Sequence, residues 1–96
     1  MKYTAVRRIY FHSADAGLVA KDVAKVIESE VPPLIGYRID DSAWHRNDQP
    51  KIEDVEIDAS TGLCTVQLEP KNVGSAEAVQ QLFEVILAHE GWKEWR

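Results

Sequence analysis

The period of apolar and polar positions changes several times along the chain, and each change marks an element. Tyr3 to His12 reads Tyr-Thr-Ala-Val-Arg-Arg-Ile-Tyr-Phe-His, rich in β-branched and aromatic residues, and predicts a strand. Tyr3, Ala5, Ile9 and Phe11, with Arg7 among them, make its more apolar face and are expected to point inward. Val6, Arg8, Tyr10 and His12 make the other face. Val19, Val23, Val26 and Ile27 then recur at helical spacing, with Lys21, Asp22, Lys25 and Glu28 opposite them, which predicts a helix. Ser13 or Asp15 is its expected cap, and Pro32-Pro33 its stop.

Leu34 to Asp41 reads as a second strand, and Ser42 to Pro50 as a polar loop around Trp44. Ile52 to Asp58 alternates Val55 and Ile57 against Asp54, Glu56 and Asp58, a third strand. Ala59-Ser60-Thr61-Gly62 is the expected hairpin turn into a fourth strand, Leu63 to Glu69, where Cys64, Val66 and Leu68 share a face. Ser75 is the expected cap of a last helix. Its stripe is Val79, Leu82, Phe83, Ile86 and Leu87, Glu77 complements its dipole, and Gly91 closes it. Trp92 to Arg96 is a tail or a very short strand. The expected fold is one α+β domain over residues 1–96 in the order β-α-β-β-β-α(-β). It is a two-layer sandwich whose antiparallel sheet carries both helices on one face.

The run Val55-Glu56-Ile57-Asp58-Ala59-Ser60-Thr61-Gly62-Leu63-Cys64-Thr65-Val66-Gln67-Leu68-Glu69-Pro70 resembles the second half of heavy-metal-associated domains. Asn72 to Glu77 and the helix up to Gly91-Trp92 continue the likeness, so it covers residues 55–92. The resemblance implies a ferredoxin-like fold. It implies no metal chemistry, because that family holds soft metal ions with a Cys-x-x-Cys pair after the first strand. Here that place reads His12-Ser13-Ala14-Asp15-Ala16-Gly17, and thiolate is what selects copper(I).

Composition narrows the partner more than the fold. At 45% hydrophobic and 28% charged residues the chain is apolar enough to fold. No apolar run reaches the ~20 residues that cross a bilayer. Two arginines sit where a signal peptide needs its apolar stretch, so the expectation is a cytoplasmic protein. The net charge of −5 opposes phosphate-driven nucleic-acid binding and anionic membranes. Residues 40–69 carry eight acidic and two basic side chains and hold the whole excess.

The candidate chemistry divides in two. The acidic stretch Asp40, Asp41, Asp48, Asp54, Glu56 and Asp58, with Glu53 beside it and Trp44 inside it, points to protein docking. Carboxylates steer a basic partner, and a loop tryptophan can anchor it. This reading is a non-enzymatic regulator, inhibitor or immunity-type protein. The alternative is a ligand-binding domain or enzyme that forms a homodimer through the open sheet face, with a pocket near Arg8, Tyr10 and His12. Cys64 is the only cysteine, and its alternation with Val66 and Leu68 makes it core rather than nucleophile. His45 among Asp40, Asp41 and Asp48 matches no metal signature, and no cofactor is expected.

Overall fold

The structure is a computed structural model that describes residues 1–95; Arg96, the end of the expected tail, lies outside the described residues. β1 (Lys2–Ser13) and β2 (Gly17–Glu28) form one long antiparallel hairpin, in register from Lys2↔Glu28 to Ser13↔Gly17. The turn closes on Ser13, whose Oγ accepts a hydrogen bond from the Ala16 amide at 2.9 Å. Gly17 completes it at a φ of 68°, a left-handed conformation that favours glycine.

The segment expected as the first helix is therefore a strand, and its lysines explain why. Val19, Lys21, Val23, Lys25 and Ile27 lie opposite Phe11, Ile9, Arg7, Ala5 and Tyr3, on the core face. The period of two appears only when both lysines count as inward. Lys21 Nζ sits 5.1 Å from the centroid of the Phe83 ring, and Lys25 Nζ reaches Asp41 at 2.7 Å. Each lysine packs its aliphatic stem over the core edge and delivers its charge to a partner.

β3 (Ile52–Ile57) and β4 (Cys64–Leu68) form the expected hairpin, followed by β5 (Lys71–Asn72), α1 (Ala76–Leu87) and β6 (Lys93–Glu94). The sheet runs β3-β4-β1-β2-β6, with β5 also beside β1. β1 is parallel to β4 and β5, while the other pairs are antiparallel. These findings overturn the two-helix antiparallel sandwich and the ferredoxin-like order. The described residues hold one helix and a mixed six-stranded sheet.

Residues 29–51 take the place of the missing helix. The strand expected over Leu34–Asp41 reduces to one bridge, Arg38↔Lys51, supported by hydrogen bonds from the Gly36 amide to the Ile52 carbonyl and from the Ile39 amide to the Pro50 carbonyl. This irregular segment and α1 lie on the same sheet face. Ser75 caps α1 by accepting from the Ala78 amide at 3.0 Å, and Val79, Phe83 and Ile86 turn inward. They join Tyr3, Ala5, Ile9, Val23, Cys64, Val66 and Leu68 from the sheet with Trp44 and Trp92 in one core.

Candidate functional site

Arg7 and Arg8 are neighbours on β1, so their side chains leave on opposite faces of the sheet. Arg7 is only 2% exposed. Its guanidinium forms a two-pronged pair with Asp48 at 2.8 and 2.9 Å, donates from Nε to the Glu69 carbonyl at 2.9 Å, and lies 4.7 Å from the Trp44 ring centroid. Trp44 in turn meets the Trp92 ring edge-on at 4.7 Å. Asp41 accepts from Lys25 at 2.7 Å, from the Ala43 amide at 2.9 Å and from the Trp92 indole at 3.1 Å. Three residues expected to face a partner, Asp41, Trp44 and Asp48, therefore fasten residues 41–48 onto the core.

Their electrostatics agree with that role. The hydrogen bond from Arg7 holds the Asp48 carboxyl below its ordinary value against the opposing effect of burial, helped by the charges of Arg7, Lys71 and His45. Burial works to raise the Asp41 carboxyl. The hydrogen bonds from Lys25, Ala43 and Trp92 outweigh it and leave the group lowered.

The opposite face carries no helix. Val6, Arg8, Tyr10 and His12 of β1 stand there beside Leu18, Ala20, Asp22, Ala24 and Val26 of β2. Arg8 donates to Asp22 at 2.9 and 3.2 Å, and its hydrogen bonds to that carboxylate raise the pKa of the guanidinium. Beyond β6 the chain continues along β2, where the Trp95 amide donates to the Asp22 carbonyl at 2.8 Å. This contact lays the Trp95 side chain over the open face, where it separates two clefts of about 370 Å³ each. The first is lined by Thr4, Ala24, Val26, Gly91, Lys93 and Trp95. The second is lined by Val6, Arg8, Asp22, Glu53, Gln67 and Trp95, with Leu68 and Pro70.

β3 forms the acidic margin of that face. Its register against β4 shifts between Ile52 and Asp54, a bulge that sets Asp54 opposite Gln67 and turns Glu53 into the second cleft. Asp54 and Glu56 thus stand on the open face as neighbours of Gln67 and Thr65. Asp58 does not join them: it accepts from the hydroxyl and amide of Ser60 at 2.6 and 2.9 Å, which organises the β3–β4 turn and lowers its carboxyl. Asp40 is also apart from this margin. It lines a cleft of about 400 Å³ on the covered side with Tyr3, Arg38 and the Lys25–Asp41 pair.

Tyr10 and His12 line none of these clefts, nor the smaller one of about 180 Å³ under Pro32 and Tyr37. Among the described residues, no three His, Cys, Asp or Glu side chains come together as metal ligands. No described helix is long and apolar enough to cross a membrane. In the sequence Trp95 falls in the tail or very short strand and Glu53 in the acidic stretch, and neither is assigned to the open face. A tryptophan one residue from the end of the chain reads as tail, and a bulge leaves no period to detect. No family model matches the chain, and neither a curated protein nor a solved structure matches it.

Proposed function

We propose that this chain is a cytoplasmic, non-enzymatic protein-binding domain that docks the open face of its sheet on a partner with a basic surface. The observation that carries the reading is the one-sided sheet. α1 and residues 29–51 occupy one face, while the other presents Trp95 between two clefts and beside the carboxylates of β3. Charge on an edge strand also deters pairing with stray strands, which accounts for Glu53, Asp54 and Glu56 taken alone. It does not account for a tryptophan left 36% exposed beside them, with Leu18 and Val26 more exposed still on the same face. An aromatic anchor with a charged rim is the usual anatomy of a protein interface.

The test starts from the partner captured by the wild-type protein from native extract and identified by mass spectrometry. Trp95→Ala is expected to lose that partner at all salt concentrations. Glu53→Lys with Asp54→Lys and Glu56→Lys is expected to slow its association most at low salt. Unchanged binding by both variants would remove the open face from consideration.

A further inference from the structure

We infer that the two clefts beside Trp95 divide the recognition of one linear partner segment: the cleft toward β3 takes an arginine or lysine side chain, and the cleft toward β6 takes an aliphatic one. The inference rests on the docking reading above and assigns the chemistry of the docked residues. In the β3-side cleft, Pro70 and Trp95 stand over a floor at Val6 and offer apolar surface that suits the methylene stem of a long basic side chain. Glu53 stands in the same cleft, and Asp54 follows it on the same face. Glu53 has no ion-pair partner among the described residues, and Asp54 accepts only from the neighbouring Val55 amide. Among the described residues, the one cation lining this cleft, Arg8, is already held by both oxygens of Asp22. Among the described residues, the uncompensated charge there is negative.

The β6-side cleft has the opposite balance. Thr4, Ala24, Val26 and Gly91 make its floor, and Lys93 stands at its edge. Glu94, its one carboxylate, leans toward Lys21 at 3.8 Å. A basic side chain entering here would meet Lys93 and Lys25, which outnumber Glu94 among the described lining residues, whereas an aliphatic one would cover Ala24 and the exposed Val26. Trp95 forms a wall of both clefts, so one extended segment crossing it reaches both. Extended peptides dock on sheet domains by this alternation of side-chain pockets.

The test uses N-acetyl-arginine amide and N-acetyl-leucine amide as probes of the full chain, followed by amide and indole chemical shifts. Fragments of this size bind at about millimolar Kd in a formed cleft. The arginine probe is expected to shift Val6, Glu53, Gln67 and the Trp95 indole. The leucine probe is expected to shift Thr4, Ala24, Val26 and Gly91. Glu53→Gln with Asp54→Asn should weaken the arginine probe at least fivefold and leave the leucine probe unchanged. N-acetyl-glutamate amide should shift neither set. The inference is overturned if the arginine probe moves Asp40 and Asp58 as much as Glu53, which marks diffuse attraction, or if both probes move one common set. Absence of shifts combined with loss of the captured partner in Trp95→Ala would overturn this division of labour and leave the docking face standing. Loss of neither would overturn both.

Discussion

Arg7 and Arg8 differ by one position in the chain, and each pairs with an aspartate, yet they belong to different regimes. Arg7 and Asp48 have side chains 3% and 20% exposed, under Trp44; Arg8 and Asp22 have side chains 49% and 22% exposed, on the open face. A charge pair out of water is strongly destabilising to break, because the survivor keeps its desolvation cost without its partner. A pair in water loses little. The comparison separates the two sides of the sheet: one is a lock, and the other is a surface whose groups remain open to a new partner. The largest expected effect breaks the lock. Asp48→Ala should cost about 3–5 kcal/mol in urea unfolding, because it strands Arg7 beneath Trp44. A loss below about 1 kcal/mol, the usual worth of an exposed pair, would erase the distinction between the two faces.

Acid sharpens the same contrast. Asp41 and Asp48 both titrate below the ordinary carboxylate value of 3.8. Their native forms therefore hold fewer protons than the unfolded chain around that value, and stability rises with pH there. The contribution is complete above 3.8 and is lost as pH falls through the two lowered values. Denaturation midpoints should drop steeply below pH 3.8 in the wild type, reported by Trp44 and Trp92 fluorescence. Asp41→Asn with Asp48→Asn should lower stability at neutral pH and flatten that acid limb. An unaltered acid limb would mean that other carboxylates drive the transition.

Gly91 offers an intermediate effect at the margin between the two sides. Its φ is 88°, and a Cβ there would come within 3.1 Å of the Lys25 side chain. Gly91→Ala should cost about 1–2 kcal/mol, through left-handed strain and displacement of Lys25 from Asp41. Neutral behaviour in thermal unfolding would show that Lys25 yields freely.

How much of this was legible depends on where each residue's partner lies. β3, β4 and α1 are readable because their periods are local: Val55 and Ile57 alternate with acids, and Val79, Phe83 and Ile86 follow a helical stripe. β2 is misread because Lys21 and Lys25 occupy inward positions, which leaves the valines to mimic a helix. The candidate site suffers from distance. Nothing near Asp48 shows that Arg7, 41 residues earlier, will claim it, so an internal anchor looks like part of an acidic surface. Of the acidic stretch, Asp54, Glu56 and the neighbouring Glu53 alone stand where the open face can use them, and the bulge that turns Glu53 there is a property of strand pairing.

The smallest expected effect is the most discriminating. Arg8→Ala removes a pair that looks on paper like that of Arg7, with its own two short contacts to one carboxylate. In water such a pair contributes about 0–1 kcal/mol, so urea unfolding of Arg8→Ala should nearly overlay the wild type. The substitution also frees Asp22 at the β3-side cleft and adds one uncompensated negative charge to it. If that cleft takes a basic side chain, Arg8→Ala should tighten the arginine probe by about two- to fivefold, and more so at low salt. Weakened binding with unchanged stability would assign the cleft's recognition to Arg8 itself and to an acidic partner. That outcome would reverse the sign of the docking surface while leaving the contrast between its two faces intact.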